Sequence, residues 1–354
     1  MTRTVGVLTF HRCINSVSYW QARCLVEGLR ARGLEATILN HRSARIDRTE
    51  WRCALHPQRP VLSSSQDVDR HAAKVRKFLR AISVLPLSEP FALDGTGAPP
   101  DHDLVLVGSD EVWNLRHPWY GGYRLFYGDG LEGRLASYAA SFGNLNASEG
   151  LGSDWCGRLR RFECISVRDR NSKRLVDEAL GRPATLVLDP CLQFAPHIKS
   201  EATLPVVGPY LALYGHGFTR QFGRAVRHWA DRRPVRVVSI GYRNDWADGQ
   251  WIDAGPDDFA AFMANAKAVA TNFFHGCIFA LINGRPFVCE PSSYRSNKIL
   301  DLAEAIGAED RVVSEGTPSG AFSALLDEPP EWDVVQRIAD LRRTSSEYLD
   351  RVLH

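Results

Sequence analysis

Between residues 266 and 282 the chain changes from one periodicity to another, and that change limits the folds open to it. Ala266-Lys267-Ala268-Val269-Ala270 is a short apolar run that reads as a buried parallel strand. Cys277-Ile278-Phe279-Ala280-Leu281-Ile282, closed by Asn283-Gly284, is long enough for two helical turns. Thr271-Asn272-Phe273-Phe274-His275-Gly276 joins the two. A strand feeding straight into a helix is the repeating unit of a doubly wound α/β sheet. His275 therefore stands where open α/β sheets bind ligands, and where orphan N–H groups and the helix dipole favour an anion. A core histidine bonded to a backbone carbonyl fits the same position.

The rest of the chain repeats this grammar. Residues 4–10 read as a first buried strand, followed by a polar loop, a helix over 18–32 capped by Gly33, and a strand over 36–39. Residues 43–65 lack clear periodicity and read as an irregular connection, 67–82 as a helix, and 86–100 as a Pro- and Gly-rich loop. Strands are expected at 103–107, 134–137, 164–167 and 185–188, with helices at 155–162 and 171–179. After a linker at 194–209, a second α/β unit begins with a strand at 210–214 and continues through a helix at 220–232 and a strand at 235–240. A helix at 257–264 then precedes the strand that carries His275. The expected architecture is α/β, with two Rossmann-like doubly wound domains around a cleft: 1–200, 205–330, and a C-terminal helix over 331–354 packing across a domain face.

Size and charge agree with this reading. At 354 residues the chain exceeds the size at which a single core keeps growing. A net charge of +2 gives no basic stripe for nucleic acid. The eight cysteines include no C-x-x-C pair, so metal-ligand spacing is absent and no metal is expected. No secretory leader and no membrane-length apolar run is legible, which leads to the expectation of a reduced, cytoplasmic protein.

Four segments in order carry a resemblance. Asn15 to Leu29 is the first, and Val107-Gly108-Ser109-Asp110-Glu111-Val112-Trp113-Asn114, followed by Ser137 to Gly143, is the second. Ile165 to Asp169, with Ser172 and Leu188-Asp189-Pro190, is the third; Ala270 to Gly276, with Gly284 to Val288, is the fourth. Together they resemble the polysaccharide pyruvyl transferase family over about residues 5–311. The resemblance implies a glycosyltransferase-B-like fold. It also implies transfer of the enolpyruvyl skeleton of phosphoenolpyruvate to sugar hydroxyls, usually as a cyclic pyruvate ketal, with no cofactor. The partners it implies are phosphoenolpyruvate and a sugar or glycan-precursor acceptor, as in exopolysaccharide biosynthesis. Oligomeric state stays open.

Such chemistry needs cations or helix N-termini for the donor anion, an acid for the departing phosphate and a base for the sugar proton. By resemblance Arg168 contacts the donor, while a surface arginine paired to Asp169 or Asp189 is the plainer reading. Asp169 reads as the orienting partner of Arg168 or as a helix cap with Ser172 as a second cap. His275 is the candidate acid and Asp110 the candidate base, although Asp110 also suits a helix cap. Ser109, Asn15, Asn272, Trp113 and Arg295 are candidate substrate contacts, with closing the core the safer reading of Trp113. Three positions depart from the family pattern: Val17 where Gly is usual, Glu111 where Gln is usual, and Phe273 where many members carry a donor-binding Arg. Arg285, Arg295 and Lys298 are candidate replacement cations. Two other functions remain open, a nucleotide-sugar glycosyltransferase of the same fold and a non-catalytic glycan-binding descendant. An acidic ribose-binding residue in the second domain would favour the former.

Overall fold

A computed structural model describes residues 3–57, 65–93, 99–196, 206, 208–292 and 296–354. The chain divides into two compact units. The first comprises Met1–Glu50, Ile82–Pro196 and Ala339–His354, and the second Trp51–Ala81 and His197–Ile338.

The first unit contains β1 (Thr4–Leu8), β2 (Glu35–Ile38), β3 (His41–Arg42), β4 (Phe91–Ala92), β5 (Leu104–Val107), β6 (Arg134–Ser137), β7 (Ser166–Val167) and β8 (Thr185–Leu186). Its main sheet runs β2-β1-β5-β6, all parallel, and single bridges at Ala136–Cys164 and Ala140–Val167 carry it on to β7, which pairs with β8. All four residues of β5 are buried, as expected of a parallel strand covered on both faces. Leu8, Val107, Trp113, Phe126, Phe142 and Phe162 belong to the core against this sheet.

The second unit contains β9 (Tyr210–Tyr214), β10 (Arg236–Ile240), β11 (Gly249–Trp251), β12 (Ala268–Thr271) and β13 (Phe287–Cys289). They form one parallel sheet in the order β11-β10-β9-β12-β13. Strand order reverses between β9 and β12, so the carboxyl ends of these two neighbours mark the switch point where such sheets open a crevice. Each unit is thus a parallel α/β sheet of the doubly wound kind.

Several expectations shift. Residues 44–55, expected to be irregular, form the helix Ala44–Leu55. Its charged residues hide the pattern, because its buried side chains are only Ile46 and Glu50, and the Glu50 carboxylate accepts the Ile14 N–H at 2.7 Å. The helix at 67–82 is present as Val68–Ser83, but up to Ala81 it groups with the second unit rather than with residues 1–200. Ion pairs hold it there: Lys77 to Asp253 and Asp258 at 2.9 and 2.8 Å, and Asp67, just before the helix, to Arg243 at 2.6 and 2.7 Å. The helix that carries His275 begins at Phe274, three residues ahead of the apolar run. In the C-terminal helix Trp332–Leu353, the stretch from Ala339 belongs to the first unit, with Ser345 bonded to the Leu188 N–H and Tyr348 to the Ser137 carbonyl. The linker at 194–209 and the loop at 86–100 lie partly outside the described residues. All eight cysteines are free thiols, and among the described residues no helix is long and apolar enough to cross a membrane.

Two buried histidines follow β1. His41 Nε2 and His11 Nδ1 both donate to the Thr9 carbonyl, at 2.9 and 3.3 Å. Burial pushes both imidazoles down, His41 to about 4, with the carbonyl bond only partly opposing it. Between the ordinary histidine value and about 4 the unfolded chain therefore binds more protons than the folded one, so stability falls as pH falls through that window. His41 alone should account for a loss of about 3 kcal/mol by pH 4. Urea titrations from pH 7 to 4 should show this slope in the wild type and a shallower one in His41→Gln, and equal slopes would remove His41 as its source.

Candidate functional site

In the first unit the candidate residues gather at the carboxyl ends of β1, β5 and β7. Asp110, three residues after the end of β5, is buried; its Oδ2 accepts the Ser18 hydroxyl at 3.0 Å and its Oδ1 accepts Arg168 Nη2 at 3.2 Å. Arg168, directly after β7, also donates through Nη1 to Asp189 Oδ2 at 3.2 Å. The side chains are 2% (Arg168), 11% (Asp110) and 1% (Asp189) exposed, so this is an interior ion triad and not the surface pair that sequence allowed. Burial by itself would lower the guanidinium, but the charges of Asp110, Asp189 and Glu111 outweigh it and raise it. The surface-pair reading is thus corrected: the guanidinium already serves two buried carboxylates.

Neighbouring groups serve the fold. Asp169 caps the helix Arg170–Leu180 by accepting the Ser172 N–H at 2.7 Å, and its other oxygen accepts the Ser141 hydroxyl at 2.7 Å. Asn15 caps Ser16–Ala31 by accepting the Val17 N–H at 2.8 Å. Ser109 is fully buried, with its hydroxyl on the Ala139 carbonyl at 3.1 Å, so it offers no free side chain to a substrate. Trp113 corrects a second expectation: its ring is fully buried and its indole N–H donates to the Phe126 carbonyl at 2.8 Å, leaving no face for a sugar. Glu111 is buried as well, bonded to Asn114 Nδ2 at 3.0 Å.

In the second unit the loops after β9, β10 and β12 meet at the switch point. The Thr271 hydroxyl donates to the Tyr214 carbonyl at 2.6 Å and accepts the Phe273 N–H at 3.0 Å. A Cβ on Gly276 would stand 2.0 Å from that hydroxyl, so only glycine lets the helix start this close to the strand. Phe274–Ile282 then opens behind Phe273 with no side-chain cap bond and places the buried His275 in its first turn. By contrast, the helix Arg220–Asp231 has an acid at its N-terminus: Glu290 accepts the Thr219 N–H and hydroxyl at 2.9 and 2.6 Å.

Phe273 points into an aromatic group, with ring centroids 5.0 Å from Tyr214, 5.4 Å from His216 and 5.2 Å from Tyr242. Asn272 does not face outward as a substrate contact. It is buried and bonds the His216 backbone through both ends of its amide. Arg285 donates to the Ala264 carbonyl, just ahead of β12, which puts it at the amino end of the sheet and away from the switch point. Arg295 lies outside the described residues. His216 and Ser18 were not among the expected site residues. The Gly-His-Gly run at 215–217, directly after a strand, was the available signal for His216.

A family model described as polysaccharide pyruvyl transferase matches residues 18–294. No curated protein sequence matches the chain. Among solved structures, a UDP-GlcNAc 2-epimerase from Neisseria meningitidis, bound to UDP-GlcNAc, aligns with a TM-score of 0.52 at 13% identity, covering 99% of this chain and 100% of that one. A UDP-GlcNAc 2-epimerase from Methanocaldococcus jannaschii aligns at TM-score 0.49 and 12% identity over 96% of this chain and 99% of that one. A glycosyltransferase from Streptomyces sp. SF2575, complexed with thymidine diphosphate, aligns at 0.46 and 13% over 99% and 98%. At these identities the likeness concerns the fold, which is α/β and glycosyltransferase-B-like.

The ion triad makes a stability prediction. Arg168→Ala leaves two buried carboxylates without their cation and should destabilise the first unit by about 3–5 kcal/mol in urea denaturation. The triple change Arg168→Met, Asp110→Asn, Asp189→Asn should recover most of that loss. Equal midpoints for the wild type and Arg168→Ala would show that the triad does not hold the fold.

Proposed function

Because the chain belongs to the polysaccharide pyruvyl transferase family, we propose that it transfers the pyruvyl skeleton of phosphoenolpyruvate to two hydroxyls of a glycan or glycan precursor, forming a pyruvate ketal. The observation that carries this reading is the match over residues 18–294, which includes the strand-to-helix seam where His275 occupies the first turn of a helix.

The reaction sets specific demands. The methylene carbon of the donor gains a proton, C2 becomes cationic, and the first sugar hydroxyl adds there and loses its proton. The second hydroxyl then displaces phosphate, which leaves with the remaining proton. His275 is assigned to the phosphate side, because it stands in the first turn of its helix, where the helix dipole favours the leaving anion. There its imidazole supplies a proton or a hydrogen bond as the C–O bond breaks.

Asp110 is assigned to the acceptor hydroxyl as base. Ser18 and Arg168 hold its carboxylate in one orientation, the preorganisation that a general base needs. Arg168 in this reading is a positioning residue for Asp110. The reaction needs no cofactor, since the high-energy enol phosphate supplies the driving force.

His275→Asn tests the assignment. The fold and the affinity for phosphoenolpyruvate should stay close to wild type, while turnover drops about 10²–10⁴-fold, the usual range for an acid–base group. A packing role would instead lower the melting temperature and reduce activity only in proportion to folded protein. Near-normal turnover by folded His275→Asn would end the assignment, and stabilisation by UDP-sugars without any response to phosphoenolpyruvate would replace the donor.

A further inference from the structure

The loop after β9 begins Gly215-His216-Gly217, and two neighbours fix its path. Asn272, after the adjacent strand β12, donates through Nδ2 to the His216 carbonyl at 2.7 Å and accepts the His216 N–H at 3.4 Å. Asn244, after β10, donates to the Gly215 carbonyl at 2.9 Å. Gly215 sits at φ +148°, and a Cβ there would stand 2.1 Å from Asn272 Oδ1, so the two loops close this far only over glycine. Asn272 and Asn244 are buried, whereas His216 is half-buried.

Two interior amides and a glycine thus hold one histidine that reaches the surface at the switch point of the sheet, the usual ligand position of this architecture. Its ring is set against Tyr242 at 5.2 Å and Phe273 at 5.4 Å, so the direction of the imidazole is constrained as well as its backbone. The charges nearby indicate the kind of ligand. Lys74, from Val68–Ser83, places its ammonium 5.0 Å from the Tyr242 ring centroid and 3.1 Å from the Gly241 carbonyl. The acid after β13, Glu290, is turned onto the Thr219 N–H and hydroxyl. A cation close by and an acid already hydrogen-bonded leave a local field that favours a negative ligand.

We propose that His216 is a substrate-contacting residue whose ring N–H donates to an oxygen of a small phosphate- or carboxylate-bearing anion. Naming that anion as the donor rests on the pyruvyl-transfer reading above. His216 then complements His275: the two lie at the ends of adjacent strands and belong to the same second unit.

Isothermal titration of the full-length protein with phosphoenolpyruvate, and separately with inorganic phosphate, tests this. His216→Ala should bind both anions about 10- to 100-fold more weakly, the worth of a hydrogen bond to a charged group. His216→Gln, whose amide N–H still donates, should recover most of the loss, and it keeps the test available if the alanine variant fails to fold. Unchanged affinity of the folded variants for both anions overturns the proposal. Wild-type protein that binds phosphate through His216 but ignores phosphoenolpyruvate keeps His216 as an anion ligand and removes that donor. Wild-type protein that binds neither anion overturns both.

Discussion

The hydroxyl of Thr271 ties three backbones together in the second unit. It donates to the end of β9, accepts from the turn that leaves β12, and lies against the first turn of the helix that follows. Both bonds are buried, and an unmet group at either end would cost about 1–3 kcal/mol. A strand rich in Ala and Val could pair with β9 in the same register without this residue. The turn beyond it could not hold His275, Phe273 and Asn272 in their present places. Those three residues, and through Asn272 the His216 loop, inherit their geometry from one side-chain oxygen.

The two sheets present different chemistry at their carboxyl ends. In the first unit, charge is internal and balanced: one arginine faces two aspartates, with a hydroxyl and further acids close by. Such a group gives directional order at a high cost in desolvation, and it loses its worth when any member is removed. In the second unit the same position holds histidines, amides and aromatic rings. Hydrogen bonds to backbone and packed rings, not ion pairs, fix these side chains in place.

Much of this was legible in the sequence because parallel strands are short, apolar on both faces and followed by turns. The strand 104–107, the β9 strand and the seam at 271–276 all show that pattern directly. Roles that depend on distant partners were not legible. Arg168 reads as a clamp until Asp110, 58 positions earlier, is brought onto it. Trp113 allows both a stacking and a core reading until Phe126, Phe142 and Phe162 are found packed with it. Asn272 reads as a ligand contact until its amide is found on a backbone 56 positions away. The helix Ala44–Leu55 escaped notice because one of its two buried side chains is a glutamate, and its worth there depends on the Ile14 N–H.

The helix Val68–Ser83 has a consequence for how the protein is made. It belongs to the second unit, yet its ion-pair partners Arg243, Asp253 and Asp258 are encoded more than 150 residues later. At ordinary ribosomal speeds those partners emerge roughly ten to forty seconds after it. During that interval Lys77 and Asp67 have no native counterpart. The first unit meanwhile has most of its own strands in hand. Synthesis order and folding order therefore part company here: a segment made early must wait for ion-pair partners that are still being translated.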